Sequence, residues 1–278
     1  MSGESMDKES KIPFLLNLVD DEDYEIRKNI LKELSAYGDD LEEKLLAYSN
    51  FLSPSKIEVL TPLFEEKRRN KLIDNWKLWF SEPEDAKQLE MAMDMIARYQ
   101  LGASYPSKLP ELLDEFSAEF KEKYSNGNEI DLANFLFKEK ELQGEKKDYY
   151  NPFNSNLVYV LETKKGLPIS LAIIYILIGR RLGLNVEGCN FPGHFLAKTY
   201  IENELALIDG FNGGRIIFEK DIQVMVEDSQ GVIMNIIKTK TPASLIIRRT
   251  LNNLIYAYQA KSDKINSDFF SVLQHQII

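Results

Sequence analysis

The chain has 278 residues, 44% of them aliphatic or aromatic and 28% charged, the make-up of a soluble globular protein of one or two domains. Its net charge of −10 is unevenly placed: residues 1–150 carry 21 basic and 33 acidic side chains, residues 151–278 carry 13 and 11. Neither half offers the basic stripe that nucleic acid requires. A single cysteine excludes an internal disulfide, and with two histidines it is too little for a zinc site, so no metal and no cofactor is expected.

The opening MSGESMDKESKIPF lacks an apolar core of signal-peptide length, and the first ten residues read as a frayed polar end. The longest apolar run, Leu167 to Gly179, is too short to span a bilayer and stops at Arg180-Arg181. The expectation is a cytoplasmic protein with no membrane contact. The oligomeric state is not encoded in any pattern found.

From Ile12 to Tyr48 the spacing predicts two helices. Ile12, Leu15, Leu16 and Val19 repeat at helical intervals, and Asp20 to Asp23 supply cap oxygens and first-turn acid for a second helix. That helix is expected to turn Ile26, Ile30, Leu31 and Leu34 inward and to close at Gly38. DDEDYEIRKNILKELSAYG resembles a HEAT-type repeat, a unit that must stack on something else to bury its face. Residues 55–120 continue as acidic helices punctuated by Pro54, Pro62, Pro83, Pro106 and Pro110. Trp76, Trp79 and Phe80 make one apolar face, continued by Leu89, Met91, Ala92, Met95 and Ile96; core packing is their expected role.

A turn at Ser125 to Asn128 marks the soft boundary between a helical, partly HEAT-like domain (1–124) and a mixed core (125–240). Asn154-Ser155 reads as the cap of a helix from Asn156 to Thr163. Pro168 opens a buried helix that Gly183 closes. A strand follows over Leu184 to Asn190, and Pro192-Gly193 turns the chain to present His194. Phe195–Tyr200 and Leu205–Ile208 read as strands joined around Glu202-Asn203, so that position i pairs with 405 − i. Leu196 then lies opposite Asp209, and Asp209 falls on the diagonal from His194, within side-chain reach. Gly210-Phe211-Asn212-Gly213-Gly214 lacks the phosphate-loop pattern and is expected to turn the sheet back to Ile216-Ile217-Phe218. The tail (241–278) reads as two antiparallel helices hinged near Ser262, with Leu245, Leu251, Leu254, Tyr258, Phe269, Phe270 and Leu273 inward; it resembles one tetratricopeptide (TPR) hairpin. His275 has no visible partner in the sequence.

An imidazole held by a carboxylate is the orienting pair of nucleophilic catalysis, and it is also a common structural bond. The order helix, strand, His, strand, Asp resembles the transglutaminase-like, papain-related core. More closely, the stretch from about Asp131 to Asp221, with PGHF at 192–195 and DGFNGG at 209–214, resembles the bacterial transglutaminase-like and TPR family described as regulators of sirC expression; members typically carry proline where Gly210 stands. The resemblance implies an α+β fold: a papain-related core with an all-helical front domain and a TPR-like tail. It also implies a histidine and an aspartate at His194 and Asp209, and a nucleophilic cysteine two residues after Gly166. That position is Pro168.

Two functions follow. One is a non-catalytic, regulatory protein whose cleft, lined by Asn154, Ser155, Pro168, Ser170, Gly193, Phe211 and Asn212, binds a protein or peptide. The other is an acyl-transfer enzyme, a peptidase, amidase or transamidase, using Cys189 or Ser170 with His194 and Asp209. Ser170 lies in the first helical turn, where the dipole alone is too weak to ionise a hydroxyl. Cys189 has the better chemistry but stands on the strand. On a third reading the His194–Asp209 pair only holds the hairpin.

Overall fold

A computed structural model describes residues 10–225 and 230–277; the stretch read as a frayed end lies, but for Ser10, outside the described residues. The chain forms two compact units, one of residues 1–75 and 98–106, the other of residues 76–97 and 107–278. Residues 76–97 and 107–124, which the sequence groups with the front segment, thus pack with the mixed core.

In the first unit, α1 (Ile12–Leu18) and α2 (Tyr24–Ser35) follow the expected pattern. Asp23 caps α2 by accepting from the Glu25 amide at 2.8 Å, and the Arg27 guanidinium donates to the Asp21 and Glu22 carbonyls, bracing the acidic turn. Two expectations are corrected here. Ile26 is 39% exposed, because the buried stripe runs through Ile30 and Leu34, and the helix closes at Ala36, with Gly38 (φ 90°) turning the chain two residues later. After α3 (Leu41–Leu45), α4 (Pro54–Asn75) runs through Pro62 without ending there, so that proline does not punctuate. Ile12, Leu16, Leu34, Leu41 and Leu60 are fully buried together in this unit's core.

The second unit is built round one helix. α5 (Asp85–Leu101, to Ala97 in this unit), α6 (Leu109–Lys123), α7 (Glu129–Asn134) and α8 (Leu157–Thr163) precede α9 (Pro168–Arg181), whose residues Ile169 to Gly179 are all buried. A helix apolar on every side must be covered on every side; α6, α7 and α8 and the sheet cover it. Pro168 stands at its first position, where the missing N–H costs nothing. Its far end is tied by Arg181, bidentate to Glu90 at 2.7 Å and bonded to Asp114 at 2.7 Å.

The sheet is antiparallel, in the order β3 (Glu187–Cys189), β4 (Leu196–Ile201), β5 (Glu204–Asp209), β6 (Arg215–Phe218). Strand β3 is shorter than expected from Leu184–Asn190. The hairpin register is the expected one: Ala197 pairs with Ile208, Lys198 with Leu207, Thr199 with Ala206. Glu202 and Asn203 both adopt positive φ (51° and 66°), the two-residue turn whose twist matches the flanking strands. Separately, β1 (Gln143–Gly144) pairs in parallel with β2 (Lys165–Gly166), delivering the chain to Pro168. On one sheet face Cys189, Leu196, Leu205 and Leu207 pack with Ile222 of α10 (Glu219–Met225) and Ile237 of α11 (Gln230–Lys238).

The closing hairpin comprises α12 (Ala243–Ala260) and α13 (Lys264–His275), turned at Ser262 (φ 60°). Leu251, Leu254, Phe269, Phe270 and Leu273 face inward as expected, whereas Leu245 is 48% exposed. Trp76 and Trp79 are buried in this unit, and the Trp76 indole donates to the Leu273 carbonyl at 3.1 Å; Phe80 stacks on Trp79 but remains exposed. His275 does have a partner: its Nδ1 donates to the Ser271 carbonyl at 2.6 Å. Among the described residues no helix is long and apolar enough to cross a membrane.

Candidate functional site

The hairpin register brings the ends of β4 and β5 together, and the turn at Gly193 (φ 74°) sets His194 just ahead of β4. His194 Nε2 and Asp209 Oδ1 are 2.9 Å apart. The same carboxylate accepts from the Asn212 backbone amide at 3.2 Å and from Asn212 Nδ2 at 2.8 Å. Burial pushes the Asp209 pKa up, but the hydrogen bonds from His194 and Asn212 outweigh it and hold the carboxyl below its usual value. The other imidazole nitrogen bonds to no described residue, and the ring lies edge-on to Phe211 at 6.1 Å. An oriented imidazole with one free nitrogen is therefore built into the loop.

Two glycines make room for that loop. A Cβ at Gly144 would overlap the Phe211 ring. At Gly210, a Cβ would lie 2.7 Å from the Phe137 ring and 3.1 Å from Leu171 Cβ, so the residue after Asp209 is pressed against the first turns of α9. Phe137, from the π-turn at Phe135–Glu139, also closes on Gly214.

At the start of α9 none of the described residues presents a nucleophile. Pro168 occupies the place of the cysteine that the resemblance implies. The Ser170 hydroxyl is fully buried and donates to the Asn154 carbonyl at 2.7 Å. Cys189 is fully buried in the apolar cluster on the sheet, and burial pushes its thiol up to about 11, against the smaller opposing pull of Lys198. Such a thiol is a small hydrophobe rather than a thiolate.

The structure thus divides the expected residues into two groups. His194, Asp209, Phe211 and Asn212 form one cluster, with Gly193 at its turn. Asn154, Ser155, Pro168 and Ser170 gather round the start of α9, and Cys189 joins neither. The capping expectation for Asn154-Ser155 is corrected: Asn156 caps α8, accepting from Val158 and Tyr159, while Asn154 donates to the Asp148 and Tyr149 carbonyls at 2.7 and 3.2 Å. The Ser155 hydroxyl is buried without a hydrogen-bond partner among the described residues. The phrase KKDYYNPF places two aromatics, Tyr149 and Tyr150, in a polar loop without marking either as functional; both are exposed, with Tyr149 6.4 Å from the Phe211 ring and 5.5 Å from that of Tyr150. Among the described residues no three His, Cys, Asp or Glu side chains stand close enough to hold a metal ion.

The sequence profile of the transglutaminase-like superfamily matches residues 103–252, more than half of the chain, and contains His194, Asp209 and the whole of α9. The chain belongs to the transglutaminase-like superfamily. Among curated relatives, a UPF0162 protein of Xylella fastidiosa (strain 9a5c) is 35% identical over 138 residues, 47% of this chain and 49% of its own. F-box only protein 21 of Homo sapiens is 30% identical over 128 residues, 45% of this chain and 20% of its own. A UPF0162 protein of Haemophilus influenzae is 31% identical over 85 residues, 31% of this chain and 32% of its own. This superfamily member therefore spans at most about half the length of these relatives. No solved structure matches it.

Proposed function

We propose that this chain is a non-catalytic member of the superfamily, regulatory in role, whose cleft at Pro168, His194 and Asp209 binds a protein or peptide segment. One observation carries the reading: the nucleophile position at the start of α9 is an imino acid, although His194 and Asp209 form an oriented pair. The two candidate replacements are both buried, one hydroxyl already donating and one thiol held protonated. Acyl transfer through this pair needs an attacking group within reach of the imidazole, and the described residues offer none. The recurrence of the matched stretch as about a fifth of F-box only protein 21 fits a recognition module carried in different chains. The HEAT-like and TPR-like helical segments would serve as further partner surfaces, in a cytoplasmic setting.

The test is iodoacetamide alkylation of the native protein across pH, in which the single thiol reports alone. The reading expects slow alkylation with a midpoint near 11, unchanged in His194→Ala. A midpoint well below the free-thiol value of about 8.5 that rises when His194 is removed would establish a thiolate–imidazolium pair and refute it.

A further inference from the structure

The cleft's outer rim carries cations that no carboxylate among the described residues pairs. Lys146 lies over the Phe211 ring, 5.9 Å from its centroid, and makes no ion pair with any described residue. Arg249 of α12 lies over the Phe195 ring at 5.5 Å, next in the chain to His194, and bonds through Nη1 only to the Asn190 side chain. Its other N–H groups have no partner among the described residues. The neighbouring carboxylates are already committed. Glu145 accepts from the Lys147 and Asp148 amides and faces Lys165 at 3.8 Å, Asp148 pairs with Lys261 at 3.2 Å, and Asp209 holds His194. Beside the Phe211 ring is Tyr149, edge-on to Tyr150 at 5.5 Å, the two being 42% and 57% exposed. Arg249 is near enough to Tyr149 for each to bear on the other's ionisation, and Asn154 pins the Tyr149 carbonyl. An aromatic ledge on a pinned backbone loses little freedom when it is covered.

We infer that the ledge of Tyr149, Tyr150 and Phe211, with Lys146 and Arg249 beside it, binds an acidic peptide segment bearing aromatic or apolar side chains. The inference rests on the binding reading above and names the class of partner. Charge decides the class. On a chain of net charge −10, two unpaired cations fix two carboxylates. They fall far short of the 6–10 phosphate contacts typical of strong nucleic-acid binding, so a polyanionic strand would be repelled by the rest of the molecule. The Arg249 fork also suits a carboxylate bidentately.

The test uses the full chain and fluorescence anisotropy with three fluorescein-labelled peptides of equal length and equal tyrosine content. In one, two of the remaining residues are glutamate, in another two are lysine, and all others, including every remaining residue of the third, are serine; a single-stranded oligodeoxynucleotide is the fourth probe. The expected result is tightest binding of the glutamate peptide. It should weaken roughly tenfold in the Lys146→Glu, Arg249→Glu double variant, weaken less in Arg249→Lys, which keeps the charge but not the fork, and weaken with added salt. Lys146→Glu alone changes an exposed side chain and separates lost recognition from lost folding. Equal binding of glutamate and serine peptides, abolished by Tyr150→Ala, would overturn the acidic class and leave the binding reading standing. Preference for the lysine peptide or the oligonucleotide would overturn the class outright. Binding of no peptide at all would overturn both.

Discussion

The carboxylate of Asp209, rather than the imidazole of His194, is the organising group of the site, and their alanine variants should separate the two. Asp209 is 6% exposed and accepts three hydrogen bonds, one from His194 and two from Asn212. A hydrogen bond to a charged group contributes about 1.5–3 kcal/mol net. Asp209→Ala removes all three, but the freed donors belong to a half-exposed histidine and an exposed asparagine that regain water, so the loss is about 3 kcal/mol rather than the full sum. His194→Ala leaves both Asn212 bonds in place and should cost about 1–1.5 kcal/mol. Both tryptophans, Trp76 and Trp79, lie buried in the same unit as the site, so urea unfolding followed by tryptophan fluorescence reads that unit selectively. With a slope of about 3 kcal/mol/M, Asp209→Ala should lower the midpoint by about 1 M and His194→Ala by about a third to a half of that. Equal losses, or a larger loss for His194→Ala, would refute the assignment.

The Asp209 pKa is lowered in the folded state, so its contribution to stability is full above the unfolded value of about 3.9 and vanishes as pH falls through the folded value. The stability gap between the natural protein and Asp209→Asn should accordingly hold from pH 6 to about 4 and close below that, measured by urea midpoints at each pH. Pro168→Cys should create a second thiol whose alkylation midpoint lies below about 8.5, since it stands at a helix N-terminus, and that midpoint should rise in His194→Ala; an ordinary midpoint insensitive to His194 would mean that the imidazole does not reach the helix start. Lys198, 3% exposed, holds Glu187 at 3.2 Å and donates to the Thr239 carbonyl beyond the end of α11 at 3.2 Å. Lys198→Met should stay within about 1 kcal/mol of the natural protein, whereas Glu187→Gln, which strands the ammonium, should cost about 2–3 kcal/mol in thermal unfolding.

The hairpin was legible because a two-residue turn at Glu202-Asn203 admits one register, and a slip by one residue would turn every apolar side chain of β4 and β5 outward. The pairing of His194 with Asp209 follows from that register alone. The buried α9 was legible from its unbroken apolar run and the proline at its head. What escaped depends on contacts distant in sequence. Lys198 reads as a solvent-facing charge on its strand, yet Glu187, its partner across the β3–β4 pairing, and Thr239, two strands and two helices further along, enclose it. Ile26 and Leu245 fit a helical stripe and are exposed because no neighbour covers that edge of it. Asn154 and Asn156 offer the same cap chemistry two residues apart, and only the backbone turn at Pro152–Ser155 decides between them. The ledge of Tyr149 and Tyr150 went unread because its neighbours, Phe211 and Arg249, arrive from segments about 60 and 100 residues further along the chain.

The Phe137 ring lies against both Gly210 and Gly214, the residues that bracket the loop carrying Phe211 and Asn212. A substitution at Phe137 or Gly210 therefore changes what the other tolerates. Gly210→Ala alone should strain the loop and loosen Asp209, while Phe137→Leu alone should leave a void beneath it. Combined, each should suppress the other's defect, because the smaller side chain vacates the space that the added methyl needs. Variation at this site would thus travel as a matched pair, with an aromatic residue in the π-turn keeping Gly210 and a smaller one releasing it, while a φ of 73° holds position 214 to glycine in either case.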